Sequence, residues 1–110
     1  MIKVTAYRHN GNIHAFELSG HADSVSEGYD LVCAGVSAVS FGSINAVIRL
    51  CNMEPLIEQA GEEGGYLRME LPEDLSDKNR TKAQLLLEGM MVSLETIERD
   101  YGQYITIINK

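Results

Sequence analysis

The sequence predicts an α/β fold of the α+β type: a two-layer, mostly antiparallel sheet with two long helices, in the order β-β-α-β-β-α-β. Three observations predict it. Two stretches alternate apolar and polar residues on either side of short turns, as β-hairpins do. Two longer stretches are apolar at helical spacing or on almost every side, and the chain closes on a short β-branched run. Hairpins pair strands antiparallel, and apolar helices need a sheet to cover them. At 110 residues the chain has the size of one domain, residues 1–110, and can bury a core without metal or disulfide staples.

Residues 2 to 8 set Ile2, Val4 and Ala6 on one face and Lys3, Thr5 and Tyr7 on the other, the period of a half-buried strand. "HNGN" supplies a tight turn, and residues 13 to 19 alternate again with Phe16 and Leu18 on one face, which His14 shares. The pattern then stops. "GHADSVSEGY" reads as a surface loop, and Asp30 can cap a helix running to about Leu50. That helix, "LVCAGVSAVSFGSINAVIRL", is small or apolar almost all round, so a sheet on one face leaves another to be covered by the second helix, a loop or another subunit.

Residues 55 to 61 and 66 to 72 form a second hairpin around "EEGG", with Leu67, Met69 and Leu71 alternating. "PEDLSDKNRTKAQ" opens the second helix, whose stripe is Ala83, Leu86, Leu87, Met90, Met91, Leu94 and Ile97. Gly102 is a natural stop, and "QYITIIN" is a last strand against one of the hairpins.

A formal charge of −7 with only nine scattered lysines and arginines argues against a nucleic-acid surface, which needs clustered cations. The acidic balance suits a basic polypeptide partner better. "MIKVTAYR" lacks the charged and apolar regions of a signal peptide, and serines, glycines, Asn45 and Arg49 interrupt the apolar stretch from 31 to 50. The expectation is a cytoplasmic protein with no membrane span. No Cys-x-x-Cys pair occurs and the histidines, His9, His14 and His21, are spread, so no metal and no cofactor are expected.

The chemistry concentrates in "GHADSVSEGYDLVCAG". Cys33 and Cys51 lie near opposite ends of the first predicted helix, roughly 27 Å apart at helical rise, too far for an internal disulfide. Cys51 reads as a small buried hydrophobe. With Asp30 as the cap, Cys33 is the third helical residue, where unpaired amides stabilise a thiolate and can receive an oxyanion. His21, on the loop leading into the helix, is the base within reach of it. Asp30 has two readings, a helix cap or an acid that orients His21. The residues alone leave a second picture open, a turn histidine and a buried thiol.

At Gly20, His21 and Ala22, followed by Gly28, Asp30, Val32, Cys33, Ala34, Val36 and Ser37, the sequence resembles the bacterial ribosomal-processing cysteine proteases, the Prp family. The resemblance extends along the chain and implies a cysteine endopeptidase with Cys33 as nucleophile and His21 as general base. It implies a substrate, the N-terminal extension of the twenty-seventh large-subunit ribosomal protein, and a homodimer, whose second copy would help cover the apolar helix. In that reading the segment from Ala22 to Tyr29 closes over an extended peptide, with Gly20 and Gly28 as hinges. Ser37, one turn beyond Cys33, either lines the site or simply packs. Two competitors remain: a non-catalytic ribosome-associated peptide-binding module, and a redox-sensing thiol protein, which would need a resolving cysteine nearer than Cys51.

Overall fold

The structure, a computed structural model, describes residues 1–20, 27–60 and 65–110. The elements run β1 (Ile2–His9), β2 (Asn12–Ser19), α1 (Glu27–Leu50), β3 (Leu56–Ala60), β4 (Tyr66–Glu70), α2 (Asp77–Tyr101) and β5 (Ile105–Asn109). This is the predicted order. The five strands form one sheet, β3-β4-β2-β1-β5. The two hairpins and the β2–β4 contact are antiparallel, while β5 lies parallel to β1, from Ile2 opposite Ile105 to Ala6 opposite Asn109.

Pairing sets which residues meet the helices. Val4 lies opposite Leu18, Ala6 opposite Phe16, and Phe16 opposite Met69, so one face of the sheet is continuously apolar. These residues join Val32, Val36, Ile44 and Val47 of α1 and Ala83, Leu87, Met90, Met91 and Leu94 of α2 in one core. Leu86 and Ile97 of the expected α2 stripe are only partly buried at its margin. Ser76 caps α2 by accepting from the Asn79 amide at 3.2 Å, and Gly102 ends it.

His14 departs from the expected face. The β1–β2 register slips between Tyr7 and Arg8, so that Tyr7 faces Ala15 and Arg8 faces Ile13, with His14 the extra residue. A bulge of this kind re-aims side chains. Ile13 enters the core, and His14 is exposed beside the Tyr7 ring.

Helix α1 also starts earlier than the Asp30 cap implied, at Glu27. The pattern from Leu31 onward marked only its apolar body, because Glu27, Gly28 and Asp30 carry no apolar periodicity. Its stretch Asp30–Leu50 is long and apolar enough to cross a membrane by length and composition. Here its inward face builds the core through Val32, Val36, Ile44 and Val47, while Leu31, Phe41 and Leu50 stay exposed.

The far face of the sheet is polar and organised around Glu17. Its carboxylate accepts from the Tyr66 hydroxyl at 2.6 Å and from the Tyr7 hydroxyl, with the Arg68 guanidinium 3.4 Å away. Donation from Tyr66, then from Tyr7, holds the Glu17 carboxyl below its usual range, and the same bond pushes Tyr66 up to about 12. A carboxyl depressed in the folded state stabilises fully above its unfolded pKa of about 4.3, and that contribution is lost as pH falls through the folded value. Glu88, held low by Arg8, works in the same direction. Urea midpoints should therefore drop between about pH 6 and pH 3, and Glu17→Gln should flatten part of that slope. An unchanged slope in the variant would show the network to be electrostatically idle.

Candidate active site

One end of the sheet gathers the starts of β1, β4 and β5 with the end of β2. The antiparallel β1–β2 pair and the parallel β1–β5 pair require this arrangement. The Ile2 amide donates to the Tyr104 carbonyl at 2.8 Å, and the Gly20 amide donates to the Gly65 carbonyl at 3.1 Å. Helix α1 begins at the same end, since a β-carbon on Gly28 would stand 2.8 Å from the Tyr104 hydroxyl.

Gly20 is fixed here for two reasons. Its φ of +140° is one that side-chain-bearing residues rarely adopt, and a β-carbon would lie 2.6 Å from the Met1 carbonyl oxygen. The strand therefore leaves the sheet in a set direction immediately before His21. His21 itself, and Ala22 to Ser26 of the expected lid, lie outside the described residues.

The other predicted residues fall on α1. Gly28 sits in the helix's first turn against Tyr104, so the expected loop hinge is instead a point of close approach. Asp30 is an exposed residue of the helix body rather than its cap, because the helix has already begun at Glu27. Cys33 is half-buried, and its helical position is one turn later than the cap predicted. Beyond the first four residues the amides are bonded within the helix, and the dipole's influence falls off. The oxyanion therefore cannot be received by free amides at Cys33 itself, as the earlier start position had implied. Asp30, Cys33 and Ser37 stand at spacings of three and four, on adjoining parts of the helix surface, with Ser37 exposed.

Cys51 presents the opposite case. It is buried just past the other end of α1, and burial pushes its thiol up. A thiol with so little access and so little thiolate is a poor nucleophile. Among the described residues no group of three or more histidine, cysteine or acidic side chains could hold a metal ion. A cavity of about 440 Å³ lined by His9, Asn12, His14, Glu70, Arg80 and Gln84 lies at the turn end of the first hairpin, away from Cys33.

Tyr104 is the neighbour that sequence reasoning missed. The strand run "QYITIIN" was legible, but its parallel pairing with β1 was not, and only that pairing carries Tyr104 to the start of α1.

Comparison with known proteins bears on the whole chain. The family described as cysteine protease Prp matches residues 1–106. The ribosomal processing cysteine protease Prp of Bacillus subtilis is 58% identical over 108 residues, 97% of this chain and 96% of that protein. Two solved structures cover all of this chain and are covered by it entirely. The essential ribosomal processing protease Prp from S. aureus with a substrate peptide has a TM-score of 0.85 at 39% identity. The same protease with a covalently linked product peptide has a TM-score of 0.84 at 40% identity.

Proposed function

Given that the chain belongs to the Prp family of cysteine proteases, we propose that it removes the N-terminal extension of the twenty-seventh large-subunit ribosomal protein, with Cys33 as nucleophile and His21 as base. The observation that carries this reading is the relative joined covalently to its product peptide, taken with the choice between two thiols in this chain. One is half-buried on α1, the helix that starts at the end of the sheet where Gly20 leads into His21, and the other is sealed in the core.

In the proposed cycle His21 takes the Cys33 proton and the sulfur attacks the scissile carbonyl carbon. The tetrahedral oxyanion collapses, the amine leaves with the proton returned by His21, and a thioester remains. Water activated by His21 then attacks the thioester, releasing the acid and restoring the thiol. Because Cys33 stands beyond the helix's first turn, the dipole contributes less to the thiolate and His21 contributes more. Asp30, not serving as a cap, is three residues before Cys33, where its carboxylate can accept from the His21 ring and hold one tautomer. It also opposes the thiolate by its own charge, so this role depends on the bond to His21. Ser37 would line the peptide's path one turn on.

The test is to quench a reaction with a peptide spanning the extension junction and map the acyl group by mass spectrometry. The expected result is an acyl adduct on Cys33 and a single cut at the junction. Fragments from other bonds, or an unmodified Cys33 during turnover, would defeat the assignment.

The same reading includes a homodimer in the cytoplasm. The outer face of α1 exposes Leu31, Ala34, Ala38 and Phe41, with Leu31 66% and Phe41 39% accessible, an apolar surface that a second copy would cover. Sedimentation should give a dimer, and Phe41→Glu should shift it to monomer. A monomeric native protein at micromolar concentration would reject this part.

A further inference from the structure

The two edges of the sheet are treated differently. At the β5 edge, the Ile107 amide is met by the Glu98 carboxylate of α2 at 2.8 Å, so the helix shields that edge. At the β3 edge all five residues are exposed, with Leu56 64% and Ile57 43% accessible. Its pairing to β4 runs without a bulge from Leu56 to Ala60, and the strand holds no proline or lysine. Among the described residues no side-chain hydrogen bond is recorded along β3. Glu58, the strand's one charged residue, guards the edge by charge alone, which leaves it open to a partner of opposite sign.

Charge identifies the occupant. The segment from 52 to 65 carries Glu54, Glu58, Glu62 and Glu63 and no lysine, arginine or histidine. Two copies of this edge side by side would oppose like charges, which disfavours self-pairing. A basic peptide meets no such penalty, and ribosomal proteins are basic because they neutralise RNA phosphates. The position also fits. Ala60 pairs with Tyr66 and Tyr66 with Ser19, so the end of β3 lies two strand spacings, roughly 10 Å, from the strand that leads through Gly20 to His21.

We propose that β3 is a docking strand on which the basic, extended flank of the peptide substrate adds to the sheet while the scissile bond reaches Cys33. This rests on the protease reading above. Main-chain hydrogen bonds would supply affinity without dictating sequence, and the glutamates would select positive charge. A five-residue strand accommodates about five peptide residues, some 17 Å of extended chain.

The experiment compares a short peptide covering only the junction with a longer one carrying a basic flank. The longer peptide should show a KM lower by about tenfold, and Glu54→Gln with Glu58→Gln should reduce that advantage to about threefold or less. N-methylation at alternate flank residues should raise KM in one register and not in the other, since only alternate amides of an added strand face the edge. Equal KM values for the two peptides, or an advantage that neither change affects, would overturn the docking strand while leaving the protease intact. Failure to cut either peptide would overturn the protease reading, and the docking strand with it. Stronger self-association in the glutamate variant, with the KM advantage retained, would assign β3 to pairing between copies instead.

Discussion

Cys33→Ala should leave a folded protein that no longer cuts the junction peptide, with turnover reduced on the order of 10⁴-fold or more. The proposed mechanism gives the acyl intermediate to Cys33, so little beyond substrate binding should survive the loss of sulfur. The fold should barely register the change, because Cys33 only borders the core and its replacement opens no enclosed cavity. His21→Ala should be nearly as damaging near neutral pH but different in form. Its residual rate should climb toward pH 9, as the thiol, about 8.5 when unperturbed, ionises without a partner. Cleavage surviving Cys33→Ala would remove the nucleophile assignment. A flat alkaline profile in His21→Ala would mean that the histidine does not manage the thiol's proton.

Gly20→Ala should lose both stability and activity. The added β-carbon would meet the Met1 carbonyl oxygen at 2.6 Å in a backbone conformation with φ of +140°. Backbone strain of this kind costs about 1–3 kcal/mol, and displacing the start of β1 adds to it, for a total near 2–4 kcal/mol. The obstacle is backbone rather than a movable side chain, so a rotamer change cannot relieve it. Chemical denaturation should show the lower midpoint, and kcat should fall further than the unfolded fraction explains, because His21 is the next residue. Gly28→Ala should be much milder, since its obstacle at 2.8 Å is the tip of the Tyr104 side chain. Equal effects for the two glycines would contradict the distinction.

The sequence was legible wherever burial imposes a period. The apolar stripe of α2 and the alternation of β1 and β4 needed only local spacing, and the structure contains both. It was less legible where contacts between distant residues decide. The bulge that turns His14 outward depends on the register of β2 against β1, and the parallel pair depends on strands at opposite ends of the chain. The first turn of α1 has polar residues and glycine at positions where no core demands a period, so its start was placed too late. At the site, position along the predicted helix set Cys33 apart from Cys51, and the structure leaves the first half-buried and the second buried, but the spacing missed that Cys33 stands one turn further into the helix.

The parallel pairing of β1 with β5 has a consequence for how the protein is made. Strands built from residues 2–9 and 105–109 meet across nearly the whole chain, a contact of long sequence separation that costs loop entropy before it returns any stability. Until β5 has been synthesised, the edge of β1 that it will occupy has no partner and Tyr104 is not beside α1. The hairpins can form during synthesis, but the end of the sheet from which α1 starts is completed late.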